Sequence, residues 1–231
     1  MRVALGTLGC KLNQAETEWL TRELLEAGHF VVDIEAAADV YILNTCTVTR
    51  TADAKCRAWL RQAYRSNPEA RLVITGCYAQ RMPEELAGME GVSVVAGNDQ
   101  KPDLLSLLRA ADIQSVSASE NVVSPPRRTR SFIKIQDGCE RACTYCIVPL
   151  VRGREKSRPA DDIIGEVNSR AAEGYREVVL TGTEIGAYRG EVELPGLLER
   201  VLAETGISRL RLSSLQPQEV TPELIKVWQD E

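Results

Sequence analysis

Apolar positions in the first half of the chain alternate between two periodicities. Short runs of β-favouring residues predict strands, and longer segments with apolar residues three or four apart predict helices. The predicted strands are 2–8, 30–34, 39–43, 72–75 and 92–95, and the predicted helices are 13–27, 50–65, 83–88 and 101–111. Strands that alternate with helices indicate βαβ units and a mostly parallel sheet. Residues 1–113 are therefore interpreted as one α/β domain.

A second α/β region follows a segment with linker composition. Residues 114–130 are rich in serine and contain two adjacent prolines and three arginines, which is typical of a linker. Strands are then predicted at 131–136, 177–180 and 210–213, and helices at 160–173, 194–204 and from 221 onward. A βα barrel needs more units than these. Residues 131–231 are therefore expected to form a barrel that stops before completion, as in a fragment.

Composition narrows the class of protein. Apolar residues make up 44% and charged residues 26% of the 231 positions, as in soluble globular proteins. No uncharged apolar stretch approaches the roughly 18 residues of a membrane span, and the N-terminus lacks the layout of a signal peptide, so a cytoplasmic location is expected. Seven cysteines without an export signal favour metal binding or catalysis over disulfides.

The strongest chemical signal is a cysteine motif after the strand at 131–136. Cys139, Cys143 and Cys146 have the spacing C-x3-C-x2-C. Three thiolates on one short loop can hold three irons of a cubane iron–sulfur cluster and leave the fourth open. S-adenosylmethionine can chelate the open iron. An electron transferred from the cluster then cleaves S-adenosylmethionine to a radical. The alternative is a zinc site, which would require a fourth protein ligand near the motif. The chain's one histidine, His29, is far from the motif in sequence.

Three further cysteines share one position relative to the predicted sheet. Cys10, Cys46 and Cys77 each follow the end of a predicted strand. The carboxyl ends of parallel strands lie on one edge of a sheet, where ligands bind. A second cluster is therefore expected there, with burial as small apolar side chains as the alternative. Cys56 lies inside a predicted helix and is expected to pack rather than ligate.

Four segments together resemble one family, the radical S-adenosylmethionine methylthiotransferases. The resemblance rests on residues 7–18, 44–48, 75–80 and 138–158, which contain all six candidate ligands. It implies a Rossmann- or flavodoxin-like N-terminal domain with an auxiliary cluster, followed by an incomplete radical SAM (β/α) partial TIM barrel. It also implies two 4Fe-4S clusters, S-adenosylmethionine as cofactor, and an electron donor such as flavodoxin or ferredoxin.

Residues 9–13 and 211–215 are most similar to one branch of this family. Members of that branch place a methylthio group on C2 of N6-threonylcarbamoyladenosine, beside the anticodon of certain tRNAs. Other branches act on isopentenyladenosine in tRNA or on an aspartate of a ribosomal protein. A two-cluster redox protein and an inactive fragment are the remaining alternatives. The resemblance implies that Cys139, Cys143 and Cys146 carry the catalytic cluster and that Cys10, Cys46 and Cys77 hold the sulfur-donating one.

Further residues gain expected roles in binding S-adenosylmethionine. Tyr145 would form an aromatic wall beside the adenine, with a core position as the alternative. Gly182 and Glu184 follow a barrel strand and are expected near the cofactor, although an ordinary βα turn would also explain them. Ser213 and Ser214 could bond its ribose or carboxylate, or serve only as a helix entry. Gln216 departs from the glutamate of many relatives, so no role is assigned to it.

A local basic zone is the candidate for RNA contact. Residues 127–158 contain nine basic and three acidic side chains in a chain of net charge −5. Within it, Arg152, Arg154, Lys156 and Arg158 could contact RNA phosphates, or one could hold the carboxylate of S-adenosylmethionine. A solvated surface is the alternative. Relatives carry a C-terminal RNA-binding domain that has no counterpart in this sequence, so weak RNA affinity is expected.

Overall fold

The computed structural model describes residues 1–111, 129–141 and 143–229. These residues divide into two compact units. Unit 1 contains residues 1–111 and Tyr145–Arg152, and unit 2 contains 129–141, 143–144 and 153–229. Most of the expected linker, 114–128, lies outside the described residues, and Arg130 already belongs to a strand.

Unit 1 is built on a parallel sheet of five strands in the order β2-β1-β3-β4-β5. Its elements through residue 111 are β1 (Arg2–Thr7), α1 (Lys11–Glu26), β2 (Phe30–Val32), β3 (Val40–Thr45), α2 (Arg50–Ser66), β4 (Arg71–Gly76), α3 (Cys77–Arg81), α4 (Pro83–Ala87), β5 (Val92–Ala96), a 3₁₀ turn (Lys101–Asp103) and α5 (Leu104–Ala110). This order is that of flavodoxin-like doubly wound sheets, in which ligands bind beyond the carboxyl ends of the strands.

The central strand β3 separates two apolar cores. All six of its residues are buried, as expected of a parallel strand covered on both faces. Tyr41 and Leu43 point into a core that includes Leu60 of α2. Val40 and Ile42 point into the opposite core, which includes residues of α1 and α5. Because side chains alternate along a strand, one apolar run supplies both cores.

The ends of the helices follow local sequence rules. The Thr49 hydroxyl caps α2 by accepting a hydrogen bond from the Ala52 amide at 3.1 Å. Gly28 follows α1 with φ +80°, and the next amide, that of His29, bonds back to Leu24 O at 2.9 Å. A glycine in this position removes the steric penalty of left-handed backbone, so the chain can turn from α1 into β2.

Unit 2 contains a second parallel sheet, with the order β10-β9-β6, and a two-stranded antiparallel ribbon of β7 and β8. The elements from residue 130 onward are β6 (Arg130–Lys134), β7 (Gln136–Asp137), α6 (Val148–Arg152), β8 (Lys156–Ser157), α7 (Ala160–Ala172), β9 (Glu177–Thr181), α8 (Leu194–Glu204), β10 (Arg209–Leu212) and α9 (Pro222–Val227). Of these, α6 packs with unit 1. The core of unit 2 lies between its parallel sheet and the helices α7, α8 and α9.

The α/β class and the parallel sheets predicted from sequence are confirmed. Strand and helix boundaries agree within a few residues, except that the short helices α3 and α6 and the ribbon β7–β8 were not predicted. No helix within the described ranges is long and apolar enough to cross a bilayer.

The turn at the end of β4 depends on Gly76. Its φ is +97° and its ψ −164°, a region open essentially to glycine, and a Cβ there would overlap the Thr45 backbone. We expect Gly76→Ala to lower the free energy of unfolding by about 1–3 kcal/mol in denaturant titrations. Gly88→Ala is the control, since Gly88 has φ −77° and room for a Cβ, and should change stability by less than about 1 kcal/mol. Equal effects of the two substitutions would contradict this account.

Candidate functional site

Three cysteines of unit 1 follow adjacent strands of its sheet. Cys10 is the N-cap of α1 after β1, Cys46 follows β3, and Cys77 is the first residue of α3 after β4. The strands β1, β3 and β4 are hydrogen-bonded neighbours in register, so these positions lie at one edge. A Cβ on Gly9 would lie 2.7 Å from the Cys46 Cβ, which shows how closely the turn before Cys10 approaches Cys46.

The electrostatics of Cys46 also indicate that the three thiols are close. Burial raises the pKa of the Cys46 thiol, and the nearby Cys77 and Cys10 raise it further, while a hydrogen bond from the Val48 amide and the charge of Arg152 oppose the rise. All three cysteines are unpaired thiols. Soft thiolate donors at one edge suit an iron–sulfur cluster, and the residues of unit 1 therefore fit such a group.

Cys56 is separate from this set. It lies within α2, fully buried in the core with Leu60 and Leu72. Burial raises its pKa to about 12, so it remains a neutral thiol. A packing role, as expected from its place in a helix, accounts for it.

Arg152 does not occupy the exposed position expected for an RNA contact. Its side chain is 3% exposed, and its guanidinium is bonded to the buried carboxylate of Glu16 at 2.9 Å and to Asn13 Oδ1 at 2.8 Å. The expected phosphate contact therefore does not hold for Arg152, because this member of the basic zone is buried and paired with Glu16. Arg154 and Lys156 are exposed. Arg158 is half-buried and binds Glu166 Oε2 at 2.7 Å.

In unit 2, the cysteine motif begins at a constrained turn. Gly138 has φ +73°, and a Cβ there would overlap the backbone of Arg154. The Cys139 amide donates to Gly153 O at 3.1 Å. Because β7 pairs with β8, the segment after the motif returns alongside Cys139. Cys143 is exposed in unit 2, whereas Cys146 lies in the segment that packs with unit 1.

The buried Gln136 joins the Cys139 turn to the loop after β9. Its Nε2 donates to Gly138 O at 2.8 Å, and its Oε1 accepts from the amides of Thr183 and Glu184 at 3.0 and 2.9 Å. A Cβ on Gly182 would lie 2.8 Å from this Oε1, so glycine allows the close approach. Gln136 is not among the site residues predicted from the sequence, although its place at the end of the predicted strand 131–136, just before the cysteine motif, is a possible signal.

Glu184 is brought directly against the first cysteine of the motif. The Cys139 thiol donates to Glu184 Oε2 at 3.0 Å, and Arg141 pairs with both Glu184 and Glu219. Burial alone would raise the pKa of Glu184, but hydrogen bonds from Glu219 and Cys139 and the charge of Arg141 lower it. Burial and the bond to Glu184 raise the pKa of Glu219. Glu184 is therefore the more readily ionised of the two carboxyls, and Glu219 takes up a proton first as pH falls.

A cavity of about 490 Å³ adjoins this group of charges within unit 2. Its lining includes Arg141 and the carboxylates of Glu155, Glu184 and Glu219. The donor atoms of Cys139, Glu155 and Glu184 lie within 4.8 Å of one another. The volume suits a nucleoside-sized ligand, and two carboxylates beside a thiol would favour a ligand with a positive group.

The other residues expected near a cofactor are placed differently. Ser213 is buried, and its hydroxyl donates to Thr181 Oγ1 at 2.8 Å. Ser214 is exposed and has φ +62°, an uncommon conformation for a residue other than glycine. Tyr145 is 90% exposed. The Gln216 amide donates to Glu219 Oε2 at 2.7 Å, which helps to position that carboxyl.

Two sequence families match the chain, one for each α/β region. Residues 133–229 match the radical SAM superfamily, and residues 2–97 match UPF0004, described as an uncharacterized protein family. The class of protein is therefore a radical SAM protein with an additional N-terminal domain.

Curated relatives define the family more closely. The chain is 38% identical over 98% of its length to the threonylcarbamoyladenosine tRNA methylthiotransferase MtaB of Aquifex aeolicus and 37% identical over 97% to that of Bacillus subtilis. It is 32% identical over 99% to the tRNA-2-methylthio-N(6)-dimethylallyladenosine synthase of Thermodesulfovibrio yellowstonii. Over nearly its whole length, the chain is therefore similar to radical S-adenosylmethionine methylthiotransferases. It spans 59%, 54% and 56% of the lengths of these three relatives.

A solved structure supports the fold. The radical S-adenosylmethionine methyltransferase TsrM of Kitasatospora setae, determined with cobalamin and a [4Fe-4S] cluster, matches 98% of this chain and 58% of its own chain with a TM-score of 0.65. The sequence identity is 18%, so the likeness extends to the architecture alone.

The contact between Cys139 and Glu184 predicts low thiol reactivity in the metal-free protein. Burial and the hydrogen bond to Glu184 raise the pKa of Cys139 to about 11. At pH 8 its thiolate fraction should be about 100-fold below that of an ordinary thiol, and alkylation should accelerate as pH rises toward 11. We expect Glu184→Gln to speed iodoacetamide labelling of Cys139 at pH 8, measured by peptide mass spectrometry.

The matched control for this labelling is Glu199→Gln, which removes an exposed carboxylate from α8. It should leave the labelling rate unchanged. Equal rates in the parent and Glu184→Gln proteins would show that Glu184 does not hold the proton on Cys139.

Proposed function

We propose that the protein is a tRNA-modifying methylthiotransferase. Its reaction would place a methylthio group on C2 of N6-threonylcarbamoyladenosine next to the anticodon, by radical S-adenosylmethionine chemistry with two 4Fe-4S clusters. The observation that carries the proposal is the presence of two three-cysteine sets in one chain, at the ligand-binding edge of the first sheet and in the C-x3-C-x2-C motif. The relatives named above support the choice of tRNA as substrate.

In this proposal, Cys139, Cys143 and Cys146 hold the cluster that binds S-adenosylmethionine. When bound, that cluster supplies one-electron reductive cleavage of the sulfonium. The protein's part is to bind and orient the cofactor. The ionised Glu184 would accept hydrogen bonds from its ammonium group, and Gln136 would keep the loop of Glu184 fixed relative to Cys139. Arg141, paired with Glu184 and Glu219, would hold the Glu184 carboxylate in one orientation.

The N-terminal domain, residues 1–113, would hold the auxiliary cluster through Cys10, Cys46 and Cys77. The second domain, 131–231, would belong to the radical SAM core and follow a linker at 114–130. Arg154 and Lys156, which are exposed, are the remaining candidates from the basic zone for tRNA phosphates. An electron donor such as flavodoxin or ferredoxin is required, because the cleavage consumes one electron.

Iron counting tests the two-cluster part of the proposal. After anaerobic reconstitution, the chain should hold about eight irons and eight acid-labile sulfides, as two cubane clusters require. A Cys139→Ala, Cys143→Ala, Cys146→Ala variant should hold about four irons, as should a Cys10→Ala, Cys46→Ala, Cys77→Ala variant. Cys56→Ala is the control, since this buried thiol has a packing role, and should leave the iron content unchanged.

The two triple variants separate the possible failures. If the variant lacking Cys139, Cys143 and Cys146 holds no iron, then Cys10, Cys46 and Cys77 bind no cluster. The function would then reduce to that of a one-cluster radical enzyme.

Nucleoside analysis tests the substrate. In a strain lacking the gene, digested tRNA should contain N6-threonylcarbamoyladenosine without its 2-methylthio form. The chromosomal gene, supplied again, should restore that form, as measured by liquid chromatography and mass spectrometry. A Cys10→Ala gene should not restore it. Loss of 2-methylthio-isopentenyladenosine instead would assign the second tRNA branch. Loss of methylthiolation on a ribosomal protein would assign the third, and no change in any of these would favour a redox protein.

A further inference from the structure

A buried ion pair network lies beneath the three cysteines of unit 1. The Glu16 carboxylate is 3% exposed and accepts from Arg152 Nη1 at 2.9 Å and from Lys101 Nζ at 2.5 Å. Both cations are themselves buried, with side chains 3% and 4% exposed. The three residues come from α1, the 3₁₀ turn after β5, and the end of α6. Desolvated charges of this kind interact strongly, because the surrounding dielectric is low.

One asparagine connects Arg152 to Cys10. The Asn13 Nδ2 donates to Leu8 O at 3.0 Å and to Thr45 O at 2.9 Å. These two bonds fix the orientation of the amide, so that Oδ1 faces the guanidinium. Oδ1 accepts from Arg152 Nη2 at 2.8 Å and lies 3.6 Å from the Cys10 sulfur.

A second asparagine connects Lys101 to Cys77 in the same way. The Asn98 Oδ1 accepts from Lys101 Nζ at 3.0 Å. Its Nδ2 donates to Val151 O at 2.7 Å and lies 3.6 Å from the Cys77 sulfur. The side-chain amide of Asn13 thus lies between Cys10 and Arg152, and that of Asn98 lies between Cys77 and Lys101. Helix α6 is hydrogen-bonded to both amides, to Asn13 through Arg152 and to Asn98 through Val151.

Buried cations placed in this way would stabilise any anionic group that the cysteines hold. Thiolates are stabilised by nearby positive charge, and partners behind metal ligands commonly tune metal affinity and reduction potential.

We propose that Arg152 is a positioning residue for the cluster at Cys10, Cys46 and Cys77, acting with Glu16 and Lys101 through Asn13 and Asn98. Segment Tyr145–Arg152 then has two roles. It carries Cys146, a ligand expected for the other cluster, and it supplies the cation that sets the iron affinity and reduction potential of this one. The inference rests on the proposed N-terminal cluster and extends it from the three cysteines to the charged and amide side chains behind them.

The test uses the Cys139→Ala, Cys143→Ala, Cys146→Ala protein, in which all iron belongs to the N-terminal site. Arg152→Gln should release iron to a chelator at about 10–100-fold lower chelator concentration than this parent. It should also lower the midpoint potential, measured by redox titration with electron paramagnetic resonance, because removing a cation disfavours the reduced, more negative cluster. Arg152→Lys keeps the charge and should keep the potential near that of the parent.

A variant with the opposite sign distinguishes charge from packing. Glu16→Gln preserves the size of the side chain but removes the carboxylate between the two cations, so the potential should rise. Circular dichroism verifies that each variant is folded. Arg61→Gln and Glu26→Gln, which alter exposed residues of α2 and α1, are the controls and should change neither iron retention nor potential.

The two proposals fail in different ways. A parent triple variant without iron would refute the N-terminal cluster and this inference with it. A parent that holds iron, with Arg152→Gln and Glu16→Gln shifting the potential in the same direction or not at all, would overturn the role of Arg152 alone.

Discussion

In a parallel sheet, each crossover returns the chain to the edge where strands begin, so all strands end at the opposite edge. The geometry of unit 1 depends on this constraint. The strands β1, β3 and β4 are adjacent, so the residues that follow them meet although they are dozens of positions apart in sequence. The buried apolar faces of β3 hold the strands in register from both sides. Three thiols are thereby brought together by backbone pairing, with side-chain contacts adjusting their surroundings.

In unit 2, the first cysteine of the motif is positioned by side-chain hydrogen bonds rather than by the pairing of strands. Its first cysteine lies in an irregular turn rather than at a helix start, and a polar side chain is needed to position it. Gln136 uses both its amide donor and its acceptor for this purpose, bonding the turn on one side and the Thr183 and Glu184 amides on the other. A buried amide satisfied in this way fixes two loops at once, because leaving either group without a partner would be costly.

The elements of both sheets could be predicted from sequence because their apolar runs are long enough to show a period. The helices α3 and α6 are only five residues each, too short for a helical repeat to be distinguished. The role of Asn13 depends on a carbonyl 32 residues away, and that of Gln136 on an amide 48 residues away. Local charge was misleading for Arg152, because its partner Glu16 lies 136 residues earlier in the chain.

That separation has a consequence for the order in which the protein is made. A ribosome synthesises α1 and the whole sheet of unit 1 long before Arg152 emerges, so during that interval Asn13 and Glu16 are without their guanidinium. Domains begin to fold from the N-terminus as they are synthesised, and a buried polar group that lacks its partner destabilises the folded form. Unit 1 therefore completes its fold only when the chain has passed the cysteine motif, which links the maturation of the N-terminal site to the synthesis of the other.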